Sequence, residues 1–284
     1  MDSPNAAAQN GTLLRFENIT LSFDELVALE SISFQMNAGE TRVILGAAGS
    51  GKTTLLKTAL GLIKPDSGRV YLFGQDITGL SERELFDIRS RVGVLFQEGG
   101  LFDSITVAEN VAYPLVNRKI HNLPDSEIDT RVVDALRFVE LEHTVNKFPS
   151  ELSGGMRRRV GIARAVVTEP PLVLYDSPTA GLDPITANTI MALVAKERDT
   201  QNTANLIVTQ RYQDGQLMAN FRYNRNGGQL EPVSANGGAA SSNSSPTRTV
   251  FMVMKEGRVV FEGRQNELEA STDPYVAKFV PKIS

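Results

Sequence analysis

The sequence predicts an α/β fold with a mostly parallel sheet and helices on its faces. Three short apolar runs suit buried strands, and they cover residues 41–46, 172–176 and 205–210. Helical segments over residues 153–168 and 185–199 precede and follow the second run, so that helix and strand alternate. This alternation is typical of parallel sheets, because neighbouring parallel strands need a crossover connection.

The N-terminal part of the chain has a different pattern, in which apolar and polar residues alternate. Three apolar residues share one face of the first extended segment: Ile19, Leu21 and Phe23. Residues 32–36 alternate in the same way, so we predict a pair of half-buried antiparallel strands between residues 13 and 36. This pair forms an N-terminal antiparallel β subdomain. Two further apolar runs are also predicted to be strands: residues 69–74 and 91–97.

An inserted helical subdomain is predicted over about residues 98–165. Apolar residues recur near helical spacing between residues 126 and 141. A second helix, over residues 153–168, ends before Pro170, because proline disfavours helix for the residue that precedes it.

Two polar segments contain little that a core could bury. Residues 1–12 are predicted to be a disordered N-terminus, and residues of about 225–248 a flexible polar loop. A strand hairpin is predicted over residues 250–263. Residues 13–284 are therefore expected to form a single domain.

The composition excludes several classes of site and partner. The chain contains no cysteine, which excludes disulfides and thiolate metal sites, and its two histidines lie far apart in the sequence. A net charge of −4 argues against a nucleic-acid partner. No apolar run approaches the ~18–20 residues that cross a bilayer, and the N-terminus lacks the pattern of a signal peptide. We therefore expect a cytoplasmic protein whose membrane function, if any, depends on another subunit.

A phosphate-binding loop is indicated by GAAGSGKT at residues 46–53. The segment has the pattern Gly-x-x-x-x-Gly-Lys-Thr, and it lies between an apolar strand and a helical run. Glycines let successive backbone N–H groups point at one anion, while Lys52 reaches the terminal phosphates and Thr53 ligates Mg²⁺. An accidental glycine-rich turn is the alternative, and the strand and helix on either side argue against it.

Two later segments fit the same kind of site. Asp176 ends an apolar strand, which suits the carboxylate on the Mg²⁺ side of a phosphate site. Ser153 is a good helix N-cap, and Gly154 and Gly155 leave the start of that helix open to an anion. Each feature taken alone is explained equally well as a strand end or a capped helix.

The order of the P-loop, LSGGM (152–156) and the strand that ends at Asp176 resembles the ATP-binding-cassette (ABC) ATPases from about residue 13 onward. The resemblance implies an ABC ATPase (P-loop NTPase) fold with ATP and Mg²⁺ as cofactors. It assigns the phosphate cradle to nine consecutive residues: Gly46, Ala47, Ala48, Gly49, Ser50, Gly51, Lys52, Thr53 and Thr54. It implies that three residues contact Mg²⁺: Thr53, Gln97 and Asp176. It also implies that Phe23 stacks on adenine, although the alternation alone explains Phe23 equally well as a core strand residue.

The same resemblance implies a dimer. In this family LSGGM completes the nucleotide site of the opposite subunit, so Ser153, Gly154 and Gly155 are expected to act in trans. The AGLD segment at residues 180–183 resembles the loop that meets the partner. A homodimer is favoured over a heterodimer, and a membrane permease is expected to hold the ATPase at the inner face of the cell membrane.

The segment that begins at residue 95 narrows the resemblance to one subfamily of the ABC ATPases. LFQEGGLFDSITVAENVAYPL (95–115) is similar to the Mce/Mla-type lipid-transport ATPases, as are Met156 in place of the usual glutamine and MRRRVGIARA (156–165). In those proteins this segment contacts a permease whose substrates are phospholipids or other lipids. A lipid cargo is therefore expected, and another hydrophobic cargo is the alternative.

The catalytic positions depart from the family pattern. Ser177 stands where the family has the glutamate that polarises the attacking water, and Gln210 stands where it has the switch histidine. Serine is not a base near neutral pH, and glutamine carries no charge. A positioned general base contributes ~10²–10⁴ in rate, so hydrolysis is expected to be slower by about that factor while ATP binding is retained.

Two functional hypotheses follow. The first is an ATP-hydrolysing subunit of an ABC transporter, which energises lipid transport by a separate permease. The second is a catalytically degenerate subunit that binds ATP and dimerises without efficient turnover. Ser177 and Gln210 favour the second hypothesis, while LSGGM and Gln97 favour the first. A soluble ABC protein that acts on DNA or ribosomes is a third alternative, against which the acidic net charge argues.

Overall fold

Two sheets of different type form the framework in a computed structural model, which describes residues 11–117, 123–233 and 248–281. The strands are β1 (Thr12–Phe23), β2 (Leu26–Asn37), β3 (Thr41–Gly46), β4 (Ser67–Leu72), β5 (Gln75–Asp76), β6 (Val92–Leu95), β7 (Leu172–Asp176), β8 (Ala204–Thr209), β9 (Phe221–Asn224), β10 (Gln229–Pro232), β11 (Thr249–Lys255) and β12 (Arg258–Gly263). The helices are α1 (Lys52–Ala59), α2 (Glu82–Arg89), α3 (Val107–Val116), α4 (Asp125–Phe138), α5 (Gly154–Val166), α6 (Pro184–Gln201), α7 (Tyr212–Asn220) and α8 (Gln265–Glu269).

The core sheet has the strand order β12-β11-β3-β8-β7-β6. Its strands are parallel except β12, which pairs antiparallel with β11 at one edge. Every residue of β3, β7 and β8 is buried, as expected for parallel strands that are covered on both faces. On β7, Leu172 and Leu174 pack into the core below the sheet, while Val173 and Tyr175 pack into the helical core above it. The predicted mostly parallel core sheet is confirmed.

A second sheet, of order β2-β1-β4-β5, is antiparallel throughout. Its inward side chains, which include Phe16 and Phe34 stacked at 4.8 Å between ring centroids, pack with α1 and one face of the core sheet. The alternation in residues 13–36 therefore gives the predicted antiparallel pair, β1 and β2. The strand predicted at residues 69–74 is β4, which begins two residues earlier at Ser67.

Helices α3, α4 and α5 lie between β6 and β7 in sequence and share one hydrophobic core with α6. Sequence periodicity did not identify α3, which contains Pro114 in its last turn. The helix is nevertheless well started, because the Thr106 side chain and Glu109 form a capping box. Within the residues that the structure describes, no helix is long and apolar enough to cross a membrane.

The largest departure from expectation is the hairpin of β9 and β10. It occupies residues 221–232, so the first part of the predicted flexible loop (225–248) forms the turn of this hairpin and its second strand, β10. The hairpin is held to α6, because the Asp199 carboxylate accepts the Tyr223 N–H at 2.7 Å and Arg198 donates to the Phe221 carbonyl at 2.8 Å. Residues 234–247 and 1–10 lie outside the described part of the chain, and the division into a helical subdomain and a single domain stays a prediction.

Candidate functional site

The register of the core sheet places the predicted site segments together. Leu45 at the end of β3 pairs with Thr209 at the end of β8, and Asp176 at the end of β7 pairs with Val208. Parallel strands end at the same edge of a sheet, which is where α/β proteins bind ligands. Five predicted features therefore lie at one edge: the P-loop, Asp176, Ser177, Gln210 and, after β6, Gln97.

The P-loop backbone has a shape that only glycine permits at two positions. A Cβ on Gly46 would lie 2.4 Å from the Ser50 Oγ and 2.7 Å from the Met254 carbonyl oxygen. Gly51 has φ of 98°, and a Cβ there would lie 2.4 Å from the Ala28 carbonyl oxygen. Gly51 is also the N-cap of α1, and no side chain caps this helix start. The first N–H groups of α1 are therefore available to a phosphate, which fits the predicted cradle.

The Lys52 side chain folds back onto the P-loop. Its Nζ donates to the carbonyl oxygens of Gly46 at 2.8 Å and Ala47 at 2.7 Å. Burial lowers the pKa of the Lys52 ammonium, and the negative charge of Asp176 opposes that shift. Burial disfavours the charged form of Lys52, and a nearby anion favours it. A phosphate oxygen would add such an anion, so this lysine is suited to bind phosphate.

The Mg²⁺-side residues fit an ion that takes most of its ligands from phosphate and water. Asp176 is only 5% exposed, while Thr53 at the start of α1 is exposed. Among the described residues, no group of three or more acidic, histidine or cysteine side chains is placed to hold a metal. Mg²⁺ commonly binds through one or two protein oxygens together with substrate phosphates, so the predicted contacts from Thr53, Gln97 and Asp176 stay a prediction that needs no larger cluster of acidic residues.

Ser177 lies at the end of β7 in a left-handed backbone conformation, with φ of 50°. Its N–H donates to the Val208 carbonyl at 2.8 Å, and its Oγ donates to Asp176 Oδ1 at 3.0 Å. The hydroxyl is therefore engaged with the neighbouring carboxylate, and it offers that carboxylate a hydrogen bond where a glutamate would offer a second negative charge.

Gln210 is exposed at the same edge, and a buried network lies behind it. The carboxylate of Asp214 accepts hydrogen bonds from Thr209 at 2.6 Å and Thr179 at 2.7 Å. Burial raises the pKa of Asp214, although both hydroxyls favour its charged form. The network links the switch segment around Gln210 to the segment after Ser177. Sequence reasoning missed Asp214, because a single aspartate inside a helical segment gives no signal of its contacts.

Arg158 on α5 is a second residue that sequence reasoning did not assign. Its guanidinium donates to the carbonyl oxygens of Ser177 at 3.0 Å, Pro178 at 2.6 Å and Ala180 at 2.9 Å. It lies inside the quoted MRRRVGIARA segment, so the family resemblance was the one available signal. Arg158 fixes the backbone between β7 and the AGLD segment relative to the LSGGM helix.

The LSGGM segment lies in a cleft of its own. Ser153 is the N-cap of α5, and its Oγ accepts the Met156 N–H at 3.2 Å, as predicted for a cap. A cleft of about 480 Å³ runs between Ser153–Gly155 and the start of α6 around Asp183 and Thr186. None of the described residues that line this cleft belongs to the P-loop. Within one chain, the structure therefore does not bring LSGGM to the phosphate cradle.

Phe23 and Gln97 are both accessible. The Phe23 side chain is 46% exposed at the end of β1, so the alternative of a core strand residue is wrong. Gln97 is exposed and begins a short 3-10 helix, Gln97–Gly99, so the strand predicted at residues 91–97 ends earlier, at Leu95. The Gly99 carbonyl accepts a hydrogen bond from Arg164 on α5 at 3.0 Å, which ties this segment to the LSGGM helix.

Comparison with known proteins agrees with this geometry. Residues 29–180 match the family described as ABC transporter. The chain is 36% identical to the intermembrane phospholipid transport system ATP-binding protein MlaF of Haemophilus influenzae, over 75% of this chain and 80% of that protein. It is 39% identical to the methionine import ATP-binding protein MetN of Corynebacterium diphtheriae, over 70% of this chain and 59% of that protein.

A solved structure with the same fold is that of the ATP-binding cassette MJ0796, as a dimer in a post-hydrolysis state bound to ADP and Pi. It superposes with a TM-score of 0.74 and 28% identity, covering 89% of this chain and 98% of that chain. ABC cassettes bind ATP, dimerise and work with membrane permease components. The chain belongs to the ABC transporter family, as an ATP-binding cassette ATPase.

Proposed function

We propose that this chain binds ATP and Mg²⁺ at the edge of its core sheet and energises lipid movement by a separate membrane permease. The observation that carries the proposal is the joint placement of the uncapped α1 start, Lys52 and Asp176 at one sheet edge. Backbone donors, one cation and one carboxylate are what a Mg²⁺-bound triphosphate requires. When bound, Mg²⁺ neutralises charge on the phosphate oxygens.

Hydrolysis at this site is proposed to be slow. The Ser177 hydroxyl donates to Asp176, and Gln210 supplies an uncharged amide where a histidine would act. Neither group accepts a proton from water near neutral pH, so the contribution of a general base, ~10²–10⁴ in rate, is absent from this edge. ATP affinity depends on the phosphate cradle, so it is not expected to be weakened by the residues at positions 177 and 210.

The proposed permease contact is an apolar surface on the helical part of the molecule. The rings of Phe102 and Tyr113 pack at a tilt of 43° with centroids 4.6 Å apart, yet each residue is more than 40% exposed. Phe96 and Val116 are also exposed. A cluster of exposed aromatic and aliphatic side chains is typical of a protein interface. Phe96, Phe102 and Tyr113 lie in the segment 95–115 that resembles the Mce/Mla-type ATPases, which supports a lipid permease as the partner and the inner face of the cell membrane as the location.

The proposed active assembly is a dimer in which Ser153, Gly154 and Gly155 of one chain meet the phosphates held by the other. The separate LSGGM cleft supports this, since its open helix start suits an anion that the same chain does not deliver. A homodimer is favoured. In a heterodimer, this chain would complete a competent site on a partner that has its own glutamate and histidine.

The test uses the full chain with its permease in phospholipid vesicles. We expect ATP-dependent movement of a labelled phospholipid and no movement of labelled methionine, the cargo named for MetN. The reverse result would contradict the lipid proposal. A second candidate, a subunit that dimerises on ATP without efficient turnover, is favoured by Ser177 and Gln210. ATP affinity without phosphate release, even in the presence of the permease, would support this candidate.

A further inference from the structure

The segment that follows α8 reaches the P-loop, although no motif predicted this. Val276 is fully buried against Val43 and Leu45 of β3, the strand that leads into the P-loop. One turn earlier, Asp273 accepts the N–H groups of Tyr275 at 2.7 Å and Val276 at 3.0 Å. The apolar anchor and the cap together fix the position of Tyr275 relative to β3.

The orientation of the Tyr275 ring is also restricted. Phe279 packs edge-on against it at 5.4 Å between ring centroids, and the ammonium of Lys255 lies over its face at 5.3 Å. Aromatic and cation–π contacts of this kind favour one ring position over others. The Tyr275 hydroxyl is thereby directed at the end of the β3–β11 ladder.

At that point the Tyr275 hydroxyl makes a hydrogen bond to each of the two neighbouring backbone segments. Met254 on β11 pairs with Gly46, the last residue of β3. Beyond this pair, the Tyr275 hydroxyl donates to the Met254 carbonyl at 3.2 Å and accepts the Ala47 N–H at 3.4 Å, which is long for a hydrogen bond. A side chain thus spans the two strands where β3 turns away into the P-loop.

The peptide between Gly46 and Ala47 is therefore held from both sides. Lys52 donates to its carbonyl oxygen, and Tyr275 accepts from its N–H. If Lys52 turned to a bound phosphate, its contact with the Gly46 carbonyl would be exchanged for one with the nucleotide. Tyr275 would then be the side chain that still contacts this peptide.

We propose that Tyr275 is a positioning residue for nucleotide binding, which keeps the Gly46–Ala47 peptide in place while Lys52 binds phosphate. The inference rests on the proposed binding of ATP at the P-loop. Because linkage is reciprocal, a C-terminal segment that favours nucleotide binding is itself held more firmly when nucleotide is bound. Backbone amide exchange in residues 273–279 should therefore be slower when the P-loop holds a nucleotide.

The test compares two Tyr→Phe substitutions in the full chain. Tyr275→Phe removes the hydroxyl and keeps the ring. Tyr212→Phe is the matched control, because the Tyr212 hydroxyl also makes two hydrogen bonds to this C-terminal part, with Glu269 and Gln265, and neither partner is in the P-loop. Calorimetry with the non-hydrolysable analogue AMP-PNP and Mg²⁺ should show affinity about three- to tenfold weaker for Tyr275→Phe, the range for loss of the one hydrogen bond that reaches the P-loop, from the Ala47 N–H. Tyr212→Phe should bind as the wild type does.

Backbone amide exchange provides a second measurement that a purely structural role would not change. In the wild type, AMP-PNP should slow exchange in residues 273–279, and in Tyr275→Phe this effect of nucleotide should be lost. Equal affinity of Tyr275→Phe and the wild type would overturn the inference, as would an equal loss in Tyr212→Phe. A wild-type chain that binds no nucleotide would overturn the proposed function as well, so the two failures are distinguishable.

Discussion

The phosphate cradle offers mainly backbone groups, whereas the catalytic edge beside it offers side chains. The catalytic edge comprises residues 176–177 and 209–210. In the cradle, the groups that face a phosphate are backbone N–H groups at an uncapped helix start, in a loop whose shape depends on Gly46 and Gly51. At the catalytic edge, the predicted groups are single side chains at strand ends, among them Asp176, Ser177 and Gln210. The cradle therefore depends on backbone geometry, and the edge depends on residue identity.

This difference explains how binding and turnover become separable. A change at Gly46 would force a clash with the Met254 carbonyl and distort the sheet, whereas a serine at position 177 leaves the backbone hydrogen bonds of that residue intact. Arg158 holds the Ser177 carbonyl from the opposite side, whatever side chain residue 177 carries. A change of side chain at position 177 is therefore expected to disturb the fold less than a change at Gly46.

The strongest test of the comparison restores the base. Ser177→Glu together with Gln210→His should raise steady-state phosphate release by about 10²–10⁴, because a positioned base is added to an intact cradle. The control is Ser177→Gln with Gln210→His, which matches the shape of glutamate without its charge and should gain little. A wild-type rate of already ~1 per second or faster would show that another group positions the water.

Removal of the cradle's cation should have the next largest effect. Lys52→Ala should weaken ATP binding by about a hundredfold or more, since the charged hydrogen bonds it would make contribute ~1.5–3 kcal/mol each. Calorimetry measures this directly. Lys57→Ala removes an exposed lysine from the same helix and should leave the affinity unchanged. If Lys52→Ala bound ATP as tightly as the wild type, the assignment of the P-loop would be wrong.

At the start of β8, the opposite end of that strand from the catalytic edge, Glu197 on α6 accepts a hydrogen bond from Thr203 at 3.0 Å and is expected to make stability depend on pH. Burial raises the pKa of Glu197 to about 7, against a hydrogen bond from Thr203 that lowers it. The raised pKa means that the folded state holds this proton more tightly than the unfolded state does. The contribution of Glu197 to stability is therefore expected to be greatest below its unfolded pKa, near ~4.5, and to fall as the pH rises through ~7, by about 3 kcal/mol in all.

Glu197→Gln should remove this pH dependence, because the amide stays neutral and still accepts from Thr203. Urea unfolding at pH 5 and pH 8 measures the difference, and the variant should be the more stable of the two proteins at pH 8. Glu142→Gln changes an exposed glutamate and is the control. Identical pH profiles for Glu197→Gln and the wild type would contradict the expectation.

The smallest expected effect concerns the base of the nucleotide. Phe23→Ala should weaken ATP binding by about five- to tenfold, at the low end of what aromatic stacking on a base contributes. Phe23→Tyr should retain the affinity, and Phe86→Ala, which removes an exposed ring on α2, should have no effect. An unchanged affinity in Phe23→Ala would place the adenine elsewhere on the surface.

Much of the fold was predictable because its signals are local. The buried run at residues 172–176 and the one at 41–46 match β7 and β3 residue for residue, since each is a continuous apolar strand with a sharp end. The Gly-Lys-Thr pattern and the Ser153 cap are likewise local, as backbone conformation and the first turn of a helix depend on nearby residues. The departure at Ser177 and Gln210 was readable in the same way.

The remaining features depend on contacts between distant residues. The polar sequence from about residue 225 indicated a loop, because the contacts of Asp199 and Arg198 on α6 with the backbone of the β9–β10 hairpin are not visible in that sequence. Arg158, Asp214 and Tyr275 are ordinary residues in their local sequence, and they acquire roles from backbone groups or hydroxyls up to 228 positions away. Helical and strand periodicity reports which face of an element is buried, and it carries no information about which distant backbone group a polar side chain will meet.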